Sequence, residues 1–182
     1  SKAGFRHSSV IIDENMMVII ATRSQCTYVA FRGTDMTSLK DWMVDATSST
    51  RRVPSGKIHK GFYRAYQSLH KKISRVLKRN HAPKNSLIIT GHSLGGALAG
   101  VYGYYNDLDR FLEQKGSPIS KIITFGQPLF ADLNLAIKLN REFEERYFRF
   151  VNDRDVVTRV PPWFVHFGHL VWLKDSKIDF PT

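Results

Sequence analysis

The sequence predicts an α/β domain: a central, mostly parallel sheet flanked by helices and folded as one compact unit. Three observations carry that expectation. β-Branched apolar runs alternate along the chain with segments of helical period, the pattern of strands joined by crossover helices. A Gly-x-Ser-x-Gly run at Gly91, Ser93 and Gly95 joins one such strand to one such helix. The length of 182 residues suits a single domain, residues 1–182. A chain of that size buries on the order of 70% of the surface it exposes when unfolded, so a core needs no staples.

The elements follow in order. Residues 18–21 and 27–31 are β-branched and apolar and read as strands. Residues 37–44 suit a short helix. From 62 to 80, Phe62, Tyr66, Leu69, Ile73 and Val76 recur at spacings of three and four, while Arg64, Lys71, Arg75 and Lys78 fall on the other side. That is an amphipathic helix with a basic outer face. Residues 86–90 form a short apolar strand, and a helix runs from 93 to about 115. A strand at 121–125, a helix over 129–145 and a strand at 146–151 complete the alternation. The rest reads as loop with a short aromatic run ending at Trp172.

Charge is uneven. The chain carries a formal +11, yet no acidic residue lies between Asp45 and Asp107, and that window holds eleven Lys and Arg residues from Arg51 to Lys84. The remainder is balanced, so one region presents a localised positive field. Two partners suit it: an anionic lipid surface, at about 1 kcal/mol per well-placed cation, or plain solvent. No nucleic-acid-binding motif accompanies the charge, so nucleic acid is not expected. Cys26 is the only cysteine and excludes an internal disulfide; in its apolar run it reads as a buried small hydrophobe. No cluster has metal-ligand spacing and no phosphate-binding glycine loop occurs, so neither metal nor cofactor is expected. No stretch approaches the ~20 apolar residues of a membrane span, and no charged-then-apolar leader opens these residues.

The chemistry concentrates in residues 87–99, Leu-Ile-Ile-Thr-Gly-His-Ser-Leu-Gly-Gly-Ala-Leu-Ala. A serine on a sharp turn between strand and helix projects its hydroxyl beyond the sheet, and flanking glycines let the two elements approach. The helix N-terminus aims N–H groups at a reacting carbonyl, and Leu94 N–H is the expected oxyanion donor. His92, adjacent to the nucleophile, reads as a packing residue, and His59 as a partner for nearby backbone.

With these motifs in place the sequence resembles the class 3 lipase family, the fungal-type lipases of α/β-hydrolase fold. The resemblance rests on Val29-Ala30-Phe31-Arg32-Gly33-Thr34, Asp41-Trp42-x-x-Asp45, His59-Lys60-Gly61-Phe62, the Ser93 motif, Thr124-Phe125-Gly126-Gln127-Pro128, residues 152–162, and His166-Phe167-Gly168 with Trp172. It implies ester hydrolysis by a Ser-Asp-His triad, in that order along the chain. Asp153 and Asp155 both stand in the acid's region. The resemblance favours Asp155, which precedes Val156-Val157, Arg159 and Pro161-Pro162. Only His166 and His169 follow Ser93, and the resemblance selects His166, six residues before Trp172. Leu170 departs from the family, which usually carries an acidic residue there. Thr34 is implied as the second oxyanion donor.

Around this centre, Met36, Leu39, Trp42 and Met43 have helical spacing in the segment that the resemblance makes a mobile lid; a fixed core helix is the other reading. Trp163, Phe164 and Phe167 flank His166 and either line an acyl pocket or pack in the core. The expected substrates are acylglycerols or shorter carboxylic esters, with phospholipid and aromatic-acid esters as alternatives for the same machinery. A non-catalytic lipid-binding protein is the alternative of another class. A secreted location, or one peripheral to a lipid surface, is favoured.

Overall fold

The structure is a computed structural model that describes residues 4–13, 16–33, 49–80, 85–112, 119–174 and 177–179. Its main sheet has eight strands among the described residues. An antiparallel group opens it: β1 (His7–Asp13), β2 (Met16–Arg23) and β3 (Cys26–Phe31). From β3 the sheet runs parallel through β6 (Ser86–His92), β7 (Ile119–Phe125), β8 (Tyr147–Asn152) and β9 (His169–Lys174). β10 (Lys177–Asp179) closes it antiparallel to β9. β4 (Thr50–Val53) and β5 (Gly56–His59) form a separate hairpin.

The mostly parallel expectation holds, and its cause is visible in β6. Leu87 and Ile89 are fully buried on one face while Ile88 and Thr90 are partly covered on the other. A strand buried from both sides carries a continuous apolar run, as parallel strands do. Helix α1 (Lys60–Asn80) buries Phe62, Tyr66, Leu69 and Ile73, each side chain giving about 1.5–3 kcal/mol. Helix α2 (Leu94–Leu112) packs on β6 and β7.

Several expectations shift. The helix expected over 129–145 is α3, Leu133–Glu142. Asp132 caps it by accepting the Leu135 N–H at 3.0 Å, while Ala131, just before, makes bridges to Ile58 and Val165. A side-chain acceptor at the N-cap starts a helix where apolar periodicity alone does not show it. The C-terminal stretch read as loop contains β9 and β10. Cys26 is partly exposed at the start of β3, not buried. The helix expected over 37–44 lies outside the described residues.

Candidate active site

Ser93 is the single residue between β6 and α2. Its φ is +54°, in the left-handed region that costs a non-glycine residue about 1–2 kcal/mol. The surroundings hold it there. Its N–H donates to Phe125 O at 2.8 Å, and its carbonyl accepts from Gly96 N–H at 2.8 Å and Ala97 N–H at 3.4 Å. Gly91 and Gly95 make the bend possible: a Cβ on Gly91 would overlap the Gly95 carbonyl, and one on Gly95 the Phe31 carbonyl. The expected strand-to-helix turn is therefore present, with Ser93 6% exposed at its tip.

Leu94 opens α2, so its N–H belongs to the first turn, where no intrahelical acceptor exists. The chain leaving β3 passes directly beside the nucleophile. A Cβ on Gly33 would lie 2.7 Å from His92 O and 3.3 Å from Ser93 Cβ. Thr34 follows, but it lies outside the described residues, as do Met36, Leu39, Trp42 and Met43.

Asp155 caps a short 3-10 turn, Val156–Arg159, in which its Oδ1 accepts the Val157 N–H at 3.0 Å. Its own N–H donates to Asn152 O at 2.8 Å, and Thr158 Oγ1 donates to its carbonyl at 2.8 Å. Oδ2 is directed at Gly126, only 2.6 Å from where a Cβ would stand. Gly126 has φ +56° and follows Phe125, which receives the Ser93 N–H. One glycine thus makes room for the carboxylate next to the strand end that braces the nucleophile. Asp153 has φ +28° and stands beside Arg154 at 3.7 Å, so it shapes the turn. A cleft of about 540 Å³ opens here between Phe125, Gly126, Phe150, Asp155 and Leu173, with His92 at its wall.

His166 does not occupy the position expected of it. Its Nε2 lies 2.7 Å from Thr158 O, and its Nδ1 is buried without a hydrogen-bond partner among the described residues. Neither nitrogen is therefore bonded to Ser93 or Asp155. A carbonyl only accepts, so Nε2 carries the proton and Nδ1 is bare. A triad base needs the reverse: Nδ1–H toward the acid and a bare Nε2 toward the serine. Burial, reinforced by the Arg149 guanidinium and only partly opposed by the Thr158 carbonyl, pushes the imidazole down to about 3. The expected Ser93–Asp155–His166 hydrogen-bonded array is not assembled in this arrangement.

The aromatic residues nearby divide. Phe167 is 3% exposed and packs on Phe130 and Tyr147, with centroids 5.4 and 4.6 Å away. Phe164 is equally buried. Both are buried, and Trp163, 47% exposed, is free to meet a ligand. His169 is exposed and stacks on Phe148. His59 Nδ1 accepts N–H groups of Gly61 and Phe62 at the start of α1, the backbone role expected of it.

Sequence reasoning missed two contributors. Gly126 had a signal, since a glycine follows the apolar run of β7. Arg149 had none: arginine is ordinarily a surface residue, yet it shares the buried face of β8 with Tyr147, is 7% exposed, and its Nε donates to Phe167 O at 2.6 Å. Its register partner on β9 is Leu170, so no carboxylate faces it there. Burial lowers its pKa to about 10.

Comparison with known proteins adds a family likeness. Residues 28–165 match the class 3 lipase family. A lipase of Rhizomucor miehei is 30% identical over 185 residues, covering 93% of this chain and 48% of that protein. A secreted mono- and diacylglycerol lipase of Malassezia globosa is 27% identical, covering 93% of this chain and 57% of its own length. A solved triacylglycerol lipase, described as having a serine-protease triad at its catalytic centre, superimposes with a TM-score of 0.73 at 26% identity. It covers 94% of this chain and 66% of that one. The chain spans about half the length of the curated relatives it matches.

Proposed function

The chain belongs to the class 3 lipase family and has the α/β-hydrolase fold, and on that footing we propose that it is a serine carboxylic-ester hydrolase acting on acylglycerols. The observation that carries the proposal is Ser93 itself, a non-glycine residue held at φ +54° on the tip of β6 against a helix N-terminus. Nothing in packing requires serine at such a strained point, whereas a nucleophile gains exposure of its Oγ there.

In the proposed reaction Ser93 Oγ attacks the ester carbonyl carbon and gives its proton to an imidazole. The oxyanion receives Leu94 N–H and a second donor from the loop after Gly33, with Thr34 in that role. The alcohol departs with the transferred proton. Water then adds to the acyl-enzyme, releasing the acid and restoring the hydroxyl. Asp155 orients the imidazole. Its Oδ1 is engaged by Val157 N–H, which leaves Oδ2 as the oxygen available on the side of Gly126. His166, bonded elsewhere, fits this role only after giving up Thr158 O.

The surroundings support a lipid substrate. Arg51, Arg52 and Lys57 on the β4–β5 hairpin and Arg64, Lys71 and Arg75 on α1 are all exposed, a set suited to an anionic lipid surface. A secreted or lipid-peripheral location accords with this. Among the described residues no helix is long and apolar enough to cross a membrane. The test is hydrolysis of emulsified triglyceride, diglyceride, phosphatidylcholine and p-nitrophenyl esters by the full chain and its Ser93→Ala variant. Release from acylglycerols, lost in the variant, is expected. Preference for phosphatidylcholine reassigns the substrate, and no hydrolysis of any ester removes the enzyme reading.

A further inference from the structure

The proposed reaction asks His166 to leave Thr158 O and turn toward Ser93 and Asp155. That move is a side-chain rotation only if the backbone carrying the ring stays where it is. Two peptides flank the residue. On the near side, Val165 N–H donates to Ala131 O at 2.9 Å. On the far side, the peptide joining Phe167 to Gly168 is held by both of its polar groups. Its carbonyl accepts from Arg149 Nε on β8 at 2.6 Å, and its N–H donates to Asn140 Oδ1 on α3 at 2.7 Å. Gly168 has φ +76°, and a Cβ there would lie 2.7 Å from the Tyr147 ring, so the chain runs close against β8 at this point. The C=O and N–H of a trans peptide point in opposite directions, so a partner on each side fixes the tilt of the whole planar unit.

From this geometry we infer that Arg149 and Asn140 are positioning residues for the base: by gripping the Phe167–Gly168 peptide from its two sides, they set the direction from which the His166 imidazole reaches Ser93 and Asp155. Stability does not account for Arg149. It is 7% exposed, its register partner is Leu170, and among the described residues no carboxylate pairs with it. A buried guanidinium in that setting costs the fold, and an apolar side chain of similar size often serves as well or better. What Arg149 supplies that an apolar residue does not is a rigid donor aimed at Phe167 O. Asn140 is exposed, so its side chain adds little burial. Its contribution is the bond to Gly168 N–H, which spans 28 residues. The inference rests on the serine-hydrolase reading and extends it to the groups that aim the base.

The test is a double-mutant cycle in steady-state kinetics on a soluble p-nitrophenyl ester, with urea unfolding of each variant alongside. Arg149→Met is expected to unfold at no lower urea concentration than the wild type. It is nevertheless expected to lose roughly tenfold to a hundredfold in kcat with KM within about twofold, the loss typical of a misaimed catalytic group. Arg149→Lys keeps a cationic donor and is expected to lose less than about tenfold. At the exposed position, Asn140→Ala is expected to lose about threefold to tenfold in kcat, and Asn140→Asp, which keeps an acceptor, less than about threefold. Because both side chains hold one peptide, the losses in the double variant Arg149→Met/Asn140→Ala are expected to depart from the product of the single losses by at least about threefold. A plain product, a rise in KM at constant kcat, or a loss that Lys and Asp do not relieve overturns the inference. An active wild type with indifferent variants overturns the inference alone, whereas a wild type that hydrolyses no ester removes the serine-hydrolase reading and this inference with it.

Discussion

Replacing Ser93 by glycine abolishes the proposed nucleophile and should also stabilise the fold. Ser93 stands at φ +54°, where an L-residue with a Cβ loses about 1–2 kcal/mol relative to its preferred regions. Glycine carries no such penalty but loses more backbone freedom on folding, by about 0.5–1 kcal/mol. The net expectation is a gain of about 1 kcal/mol. Alanine is the reference that isolates the backbone, since it removes the same hydroxyl and keeps the strained Cβ. Ser93→Gly should therefore exceed Ser93→Ala by about 1 kcal/mol in urea-derived unfolding free energy, or roughly 2–4 °C in Tm for a chain of this size. Both variants should be inactive toward esters. Equal stability of the two, with unchanged denaturant slopes, refutes the reading of position 93 as a strained elbow.

Other perturbations follow from the same geometry. Gly126→Ala places a methyl 2.6 Å from Asp155 Oδ2 at a residue with φ +56°. It should cost about 1–2 kcal/mol of stability and about a hundredfold in kcat, read by denaturation and ester turnover. Asp155→Asn keeps the Val157 N–H bond but removes the charge, and should lower kcat by about 10⁴ while leaving the circular dichroism spectrum unchanged. The pH dependence of stability carries the His166 signature. The ring titrates at about 3 in the folded chain against about 6.5 when unfolded. Between those values the unfolded chain holds a proton that the folded chain refuses. Stability is thus full above pH 6.5 and falls as pH drops toward 3. At pH 4.5 this one group accounts for about 2–3 kcal/mol of loss, so urea curves at pH 7 and 4.5 should converge by that amount in His166→Gln relative to wild type.

Local signals were legible where one physical demand acted alone. Glycines at 91 and 95 around Ser93 admit few readings beyond a tight strand-to-helix bend, and the structure places them against carbonyls that leave no room for a Cβ. The period of α1 needed only a buried apolar stripe and was read to within two residues. What the sequence hid depends on pairing across distance. The β4–β5 hairpin carries Arg51, Arg52 and Lys57 outward, so its composition suggests no strand, and β1 shows its exposed Val10 and Ile12 alternating with buried Ile11 only once β2 lies beside it. His166 follows the same logic. The order Ser, Asp, His and a tryptophan at fixed spacing name a candidate, but which nitrogen carries the proton is set by Thr158 O, Arg149 and burial, none of which spacing encodes.

Covalent labelling of the chain by a fluorophosphonate, with the modified peptide sequenced by mass spectrometry, reaches the central claim most directly. A phosphonyl adduct on the peptide containing residues 91–95, located at Ser93 and absent in Ser93→Ala, is the predicted result. A folded chain that stays unlabelled, or one labelled at a different serine, contradicts it.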